Sequence, residues 1–318
     1  MATLPEQENL TLQAVEAAVK ANADEGFRPH LGASIIGRPC LRQLWYGFRW
    51  TLKSDHSPRI LRLFARGQRE EDVFADLLKG AGIEVDEVDP VTGNQYRYAV
   101  IGGHVGGSSD GQAEGIPEAP KTRHIVEMKT HGDKSFKLLA KQGLRESKPE
   151  HWTQMQLYMH WSGLTRALYM AVNKNDDQLH IERVRYDELE AVQMEARART
   201  VIEAATPPAK ISADPAWYQC KFCDFSDVCH GRTQPERHCR TCLHSTPELD
   251  GDARWSCQRW GMDIPTAADQ QRGCPEQRLI PALYEQANDC HCVGAKPEEN
   301  RVFYSNGTAD GGKQDAAA

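Results

Sequence analysis

Residues 124–130 constrain the fold of this chain more tightly than any other segment. Their composition is typical of a β-strand, in which alternate side chains point to the same face of a sheet. Glu127 and Lys129 are then neighbours on one face, while Val126 and Met128 point into the core. The sequence therefore predicts one of two structures. The first is a sheet that carries an acid and a lysine at a catalytic site, and the second is a surface strand with an incidental Glu-x-Lys pair, which is common.

Asp110, in Ser109-Asp110-Gly111, adds a second carboxylate ahead of this strand. Carboxylate oxygens are hard ligands that suit Mg²⁺ or Mn²⁺. A metal held by two carboxylates lowers the pKa of a bound water and stabilises the charge that develops on phosphate, and a nearby lysine positions the water or the phosphate. These three side chains therefore have the chemistry that phosphodiester hydrolysis requires.

A predicted helix over residues 60–78 contributes a third acid. Apolar residues recur there at helical spacing, and Gly67 falls on the apolar face with Glu71 beside it. A carboxylate at the border of a buried stripe is costly unless something pairs with it. We expect Glu71 either to bind a metal or to extend into water.

A second predicted helix, residues 151–163, carries Gln154 and Tyr158 one turn apart and hence on one face. The amide of Gln154 is suited to orient a water or a phosphate, and Tyr158 is suited to stack or to donate a hydrogen bond. The alternative is a pair of helix-surface side chains beside the core residues of the same helix.

The order of these residues along the chain resembles the PD-(D/E)xK nuclease superfamily, specifically the RecB-like exonucleases. The resemblance covers about residues 30–232, and its combined pattern is more specific than any of its parts. The matching residues are Gly67-x-x-x-Glu71, Asp110, Glu127-x-Lys129 and Gln154-x-x-x-Tyr158.

The resemblance implies a role for each matching side chain. Asp110 and Glu127 would be metal ligands, with Glu71 as a further acidic ligand. Lys129 would be the catalytic lysine. Gln154 and Tyr158 would be the supporting pair.

Two positions depart from the family pattern. Ser109 stands where the motif name has proline, which carries no chemistry. Glu71 occupies the helix position that is often histidine in RecB-like enzymes, and His104 is a candidate metal ligand in compensation.

The cysteines fall into two sets. Cys40 and the later Cys220, Cys223 and Cys229 look like the [4Fe-4S] staple of the CRISPR-associated and AddAB-type members of the family. Four cysteine ligands suit iron–sulfur or zinc, so the choice of iron rests on the resemblance. The second set has the spacing of a small four-cysteine zinc module, with unbound thiols as the alternative; its members are Cys239, Cys242, Cys257 and Cys274.

These patterns divide the chain into four parts. Mixed helices and strands predict an α/β (α+β) fold, and the resemblance implies a restriction-endonuclease-like central mixed sheet flanked by helices. The parts are an N-terminal helical segment (1–29), the nuclease-like domain with its iron–sulfur staple (30–232), the cysteine-rich module (236–284) and a tail expected to be disordered (285–318).

Composition limits the partners. A net charge of -7 argues against a protein that coats DNA by bulk electrostatics, although a nuclease needs only a local groove. We find no apolar run of the ~18 residues that a membrane span requires and no secretory signal pattern. Ten cysteines with clustered C-x2-C pairs favour metal binding in a reducing cytoplasm over disulfides.

The leading hypothesis is a Mg²⁺- or Mn²⁺-dependent DNA exonuclease that serves recombination, repair or phage DNA processing. Its partners would be DNA ends or single strands and possible recombination or replication proteins, with no membrane. The alternative is a noncatalytic, metal-stapled DNA-binding or adaptor protein. The presence of Lys129 together with the three acids favours the enzyme, because a degenerate nuclease is expected to lose at least one of them.

Overall fold

The computed structural model describes residues 9–23, 26–305 and 314–315. The described helices are α1 (Leu10–Ala21), α2 (Ala33–Ile36), α3 (Leu41–Phe48), α4 (Pro58–Gly80), α5 (Asp133–Gln142), α6 (Leu144–Ser147), α7 (Pro149–Ser162), α8 (Glu188–Glu203), α9 (Tyr218–Lys221), α10 (Ser226–Cys229), α11 (Ala267–Arg272) and α12 (Pro281–Asn288). The described strands are β1 (Leu31–Gly32), β2 (Glu84–Asp86), β3 (Arg97–Val100), β4 (Val105–Ser108), β5 (Gly111–Glu114), β6 (His124–His131), β7 (Arg166–Asn173), β8 (Leu179–Arg185), β9 (Ser245–Pro247), β10 (Trp255–Cys257), β11 (Met262–Ile264), β12 (His291–Lys296), β13 (Arg301–Ser305) and β14 (Gln314–Asp315).

The central sheet is mixed, as the sequence predicts. Its strand order is β2-β5-β6-β7-β8, in which β6 and β7 run parallel and the other neighbours are antiparallel. The register places Glu127 of β6 opposite Tyr169 of β7. Helices cover both faces of the sheet, which confirms the predicted α/β fold class.

The two faces of β6 belong to different cores. Val126 and Met128 pack with Phe74 of α4, whereas Ile125 packs in the core that includes Met155 of α7 and Tyr169. A strand beside a parallel neighbour is commonly buried on both faces. The face that carries Glu127 and Lys129 therefore lies under α7 and is largely shielded from water.

The ends of the helices follow local sequence signals. Pro149 opens α7, where its missing N–H leaves no bond unmade, and Gly163 closes it in the left-handed conformation with φ of 74°. At the start of α8 the Glu190 N–H donates to the Asp187 carboxylate at 3.2 Å. These signals set where α7 begins and ends and where α8 begins.

The segment after residue 236 shares the core of the preceding part. Trp255, Ile264 and Leu283 pack in the same buried cluster as Trp45 and Met155. The strands β9, β10 and β11 form a small antiparallel sheet beside it.

Regular secondary structure extends into the tail, up to residue 305 and again at residues 314–315. Strands β12 and β13 pair antiparallel, and Cys290, Val302 and Tyr304 form a small core of their own. Alternate residues of β13 are buried and contribute to this core. The end of the chain is rich in Gly, Asp and Ala, and this composition was the basis for predicting disorder. Residues 306–313 and 316–318 of the predicted tail, and residues 1–8 of the N-terminal segment, lie outside the described residues.

Within the described ranges no helix has the length and apolar character needed to cross a membrane.

Candidate functional site

Carboxylates and an ammonium group from separate elements meet at β6. Asp110 lies between β4 and β5, and its Oδ2 accepts a hydrogen bond from the Met128 N–H at 2.7 Å. The Lys129 Nζ atom lies 3.7 Å from Asp110 Oδ2 and pairs with Glu127 Oε1. Glu71 reaches the same site from α4, where the charges of Asp110 and Lys129 act on it. The structure therefore brings these four predicted residues together.

Burial and mutual repulsion disfavour the ionised forms of the carboxyl groups in this site. The Glu127 side chain is 0% exposed, and burial raises its pKa to about 8, with Asp110 and Glu71 adding to the shift and Lys129 opposing it. Burial and then the charge of Asp110 raise the pKa of Glu71 to about 7. Burial lowers the pKa of Lys129, but the charges of Glu127 and Asp110 outweigh it and raise that pKa overall. One ammonium group therefore faces three carboxyl groups, and a bound cation would favour the ionised form of all three.

The donor set fits a hard cation. Glu127 Oε2 and Gln154 Oε1 are buried and have no hydrogen-bond partner among the described residues. A buried oxygen of this kind normally has a partner, and carboxylate oxygens suit Mg²⁺ or Mn²⁺. In the described part of the chain no group of three or more His, Cys, Asp or Glu side chains is already arranged to hold a metal. Asp110 and Glu127 instead share Lys129 Nζ.

Gln154 and Tyr158 lie together on α7, as predicted. The Gln154 Nε2–H donates to Tyr158 Oη at 3.2 Å, and both side chains are buried. A Cβ at Gly107 would lie 2.5 Å from Tyr158 Oη, so the ring reaches this position only because residue 107 is glycine. Burial and then the charge of Glu127 raise the pKa of Tyr158, which keeps the hydroxyl protonated.

The structure adds three residues that sequence reasoning missed. His131 Nε2 and His151 Nδ1 lie 2.8 and 2.9 Å from Tyr169 Oη. A tyrosine hydroxyl has one proton, so it donates to one histidine and accepts from the other. His151 is three residues before Gln154 on α7, and this helical spacing was the signal that could have found it. Tyr169 and His131 depend on the pairing of β6 with β7, which the sequence does not reveal.

His104 does not join the acidic cluster. Its Nε2 lies 2.8 Å from the Glu248 carbonyl oxygen, and its ring packs edge-on against Phe48 and Trp255. The ring is fully buried among these aromatic side chains, so it packs in the core and is not positioned as a metal ligand.

The first cysteine set converges on one pocket. Cys40 at the start of α3 lines it together with Cys220, Cys223 and Cys229. Burial and then nearby groups, Cys40 among them, raise the pKa of Cys223 to about 11. The Cys223 thiol is therefore protonated as it stands, and a metal or cluster would have to displace its proton.

The members of the second cysteine set influence one another electrostatically. Burial and then the charges of Cys242, Cys274 and Cys257 raise the pKa of Cys239 to about 11. The nearby histidines are engaged elsewhere: His238 Nε2 lies 2.9 Å from the Trp50 carbonyl oxygen, and His244 Nε2 lies 2.9 Å from Asn300 Oδ1. The four thiols, without these histidines, are the candidate zinc donors.

Comparison with known proteins gives similarity in fold only. No family model and no curated protein matches the chain. An alkaline exonuclease, LHK-Exo, from Laribacter hongkongensis is similar at TM-score 0.41 and 18% identity, covering 59% of this chain and 90% of that one. Its structure in complex with dAMP is similar at TM-score 0.39. A phage-related exonuclease from Haemophilus somnus 129PT is similar at TM-score 0.39 and 12% identity, covering 54% and 91%. These values are too low to assign a function, which is therefore inferred from the side chains.

Proposed function

We propose that this protein is a metal-dependent nuclease that hydrolyses phosphodiester bonds in DNA, acting as an exonuclease at DNA ends. The observation that carries the proposal is Glu127, a fully buried carboxylate that pairs with Lys129 through one oxygen and leaves the other without a partner. Asp110 and Glu71 crowd the same site. Keeping these carboxyl groups ionised together is costly unless a cation binds there.

Each side chain has a role in the proposed reaction. Asp110 and Glu127 would hold Mg²⁺ or Mn²⁺, with Glu71 as a further acidic ligand. A metal bound there would act as a Lewis acid on the phosphate and lower the pKa of the attacking water. The Lys129 ammonium group would stabilise the charge that develops on the phosphate oxygens. Gln154 and Tyr158 would orient the water or the phosphate through the amide oxygen and the hydroxyl.

We also propose that both cysteine sets bind metal for structural reasons. A [4Fe-4S] cluster on Cys40, Cys220, Cys223 and Cys229 would join the start of α3 to the segment that contains α9 and α10. Zinc on Cys239, Cys242, Cys257 and Cys274 would close the segment around β10.

The test uses purified protein with end-labelled linear DNA and circular DNA, each with Mg²⁺, Mn²⁺ or EDTA. We expect cleavage of linear DNA with either metal, none with EDTA and little on the circle. Glu127→Gln keeps the shape of the side chain and should abolish cleavage. Protein that binds DNA but does not cut it with any metal would favour the alternative, a noncatalytic DNA-binding or adaptor protein.

A further inference from the structure

A cavity of about 440 Å³ lies beside the acidic cluster. Gln154 and Tyr158 line it on one side, and Tyr98 lines it on another. The hydroxyl groups of Tyr98 and Ser109 lie 3.5 Å apart, and Ser109 precedes Asp110. The cavity therefore borders the proposed site through Gln154 and Tyr158, and its volume falls in the range of small-ligand pockets rather than that of a duplex groove.

The charge of this cavity is opposite to that of the whole protein. Arg28, His30 and Arg97 line it, and among the described residues no carboxylate does, although the net charge of the chain is -7. Neither Arg28 nor Arg97 forms an ion pair within the described ranges, and both residues are exposed. Burial and then the charges of these arginines and Arg240 lower the pKa of His30, so their positive potential reaches the wall of the cavity. Such a surface favours an anion.

The floor of the cavity is backbone without side chains. Gly32 of β1 pairs with Gly106 of β4 in parallel register, and Gly107 follows. A Cβ at Gly106 would lie 2.2 Å from the Tyr98 carbonyl oxygen, and one at Gly32 would lie 2.5 Å from Arg28 Nη1. Glycine at these positions avoids collisions with Tyr98 and Arg28, and glycine backbone allows a ligand to approach closely.

An aromatic row supplies a surface for a base. The ring centroids of Tyr98 and Tyr158 lie 5.2 Å apart at 31°, and Trp161 lies 6.3 Å from Tyr98. Tyrosine rings beside cationic side chains are the usual platform for single-stranded nucleic acid, because bases stack on the rings and phosphates pair with the cations.

We propose that this cavity binds the single-stranded segment of DNA that adjoins the phosphate to be cut. Arg28 and Arg97 bind its phosphates, and Tyr98 contacts a base. The placement of this segment next to the cut phosphate rests on the proposed nuclease function. The binding of single-stranded DNA in the cavity does not depend on that function. A duplex is too wide for the cavity, so a strand enters only where it is unpaired.

Fluorescence anisotropy in EDTA tests the binding without cleavage. The probe is a short labelled single-stranded oligonucleotide, and the same sequence as a blunt duplex is the comparison. Arg28→Gln and Arg97→Gln should each weaken binding of the single strand about tenfold. Each should also reduce the slope of log affinity against log salt by about 0.7, the value expected when one phosphate contact is lost from a single strand. Arg28→Lys should retain the slope.

Arg199→Gln is the matched control, because Arg199 is exposed on α8, pairs with Glu203 at 3.5 Å and does not line the cavity. It should bind like the wild type. Unchanged affinity and slope in both cavity variants would overturn the inference, and an equal loss on the duplex would overturn its single-strand part. Cleavage assays separate the two proposals. If the protein never cuts DNA but needs Arg28 and Arg97 to bind it, only the proposed nuclease function is refuted. If the protein cuts and binds DNA without these arginines, only the proposed role of the cavity is refuted.

Discussion

The Cζ atom of Arg240 lies 3.6 Å from the ring centroid of Trp50, which places a guanidinium group directly over an indole. Arg240 is fully buried, and its N–H groups donate to the carbonyl oxygens of Phe48 and Pro29 at 2.9 and 2.7 Å. Burial and then the charge of Arg49 lower the pKa of Arg240 well below its usual value. Arg240, which belongs to the cysteine-rich segment, therefore forms hydrogen bonds with one carbonyl group ahead of α2 and with another at the end of α3.

Arg240→Ala should lower the free energy of unfolding by about 3 kcal/mol, because it leaves buried carbonyl groups without donors and opens a cavity over Trp50. Urea unfolding followed by tryptophan fluorescence measures this change. Arg237→Ala, at an exposed residue nearby, should change stability by no more than about 0.5 kcal/mol. A chain that ends at residue 232 should fail to fold cooperatively. Native-like unfolding of that truncated chain would show that the segment is an independent module.

Asp110→Asn, Glu127→Gln and Lys129→Ala should each reduce DNA cleavage by about 100-fold or more, because each removes a proposed metal ligand or the charge that stabilises the transition state. Single-turnover cleavage of end-labelled DNA at saturating Mn²⁺ measures the effect. Lys137→Ala is the control, because Lys137 is exposed and pairs with Asp133 at 2.9 Å. Full activity in Glu127→Gln would contradict the assigned site.

Much of this fold could be predicted because its periodic patterns are long. The strand predicted over residues 124–130 is β6 with one further residue, and the helix predicted from residue 151 is α7 with an earlier start at Pro149. Glu127 and Lys129 share a face as period-two alternation requires. These features depend on residues that are close together in the sequence, so the sequence alone is sufficient to predict them.

The rest depends on contacts between distant segments. The burial of Arg240 over Trp50 joins residues far apart in the chain, and no local pattern indicates it. His104 was a candidate ligand by residue type, yet its position between Phe48 and Trp255 follows from how the later segment packs. The order in β13 was missed because the polar end of the chain outweighed the short alternation of Val302 and Tyr304.

Tyr169→Phe should slow DNA cleavage by about tenfold while the protein stays folded. The change removes the hydroxyl group that joins His131 to His151 and so frees the orientation of His151, which stands beside Gln154 on α7. Single-turnover rates measure the effect. Tyr186→Phe is a matched control, because its hydroxyl lies 2.6 Å from His160 Nδ1 in a similar contact away from the acidic cluster. Equal effects of the two changes would exclude a specific role for Tyr169.

Stability should depend on pH through His104. Burial lowers its pKa to about 4 from 6.5, so between these values the unfolded chain binds a proton that the folded chain does not. The contribution of neutral His104 to the free energy of unfolding is therefore complete above pH 6.5 and is lost as the pH falls towards 4. Urea unfolding at several pH values should show that the wild type loses up to about 3 kcal/mol more over this range than His104→Gln. Parallel pH profiles would show that His104 is not held neutral by the fold.

The two cysteine sets should lose their metals independently. Protein purified without oxygen should contain iron and zinc, because the cysteines of the first set line one pocket and those of the second set lie near enough to act on the pKa of Cys239. Cys223→Ser should remove the iron and its colour but keep the zinc, and Cys242→Ser should remove the zinc but keep the iron. Cys292→Ser, outside both sets, should keep both metals. Elemental analysis and visible absorption measure these outcomes. Zinc at both sets would agree with the assigned cysteine ligands but would refute the iron–sulfur cluster. Loss of both metals in either variant would show that the two sets fold as one unit, as the shared core around Trp255 allows.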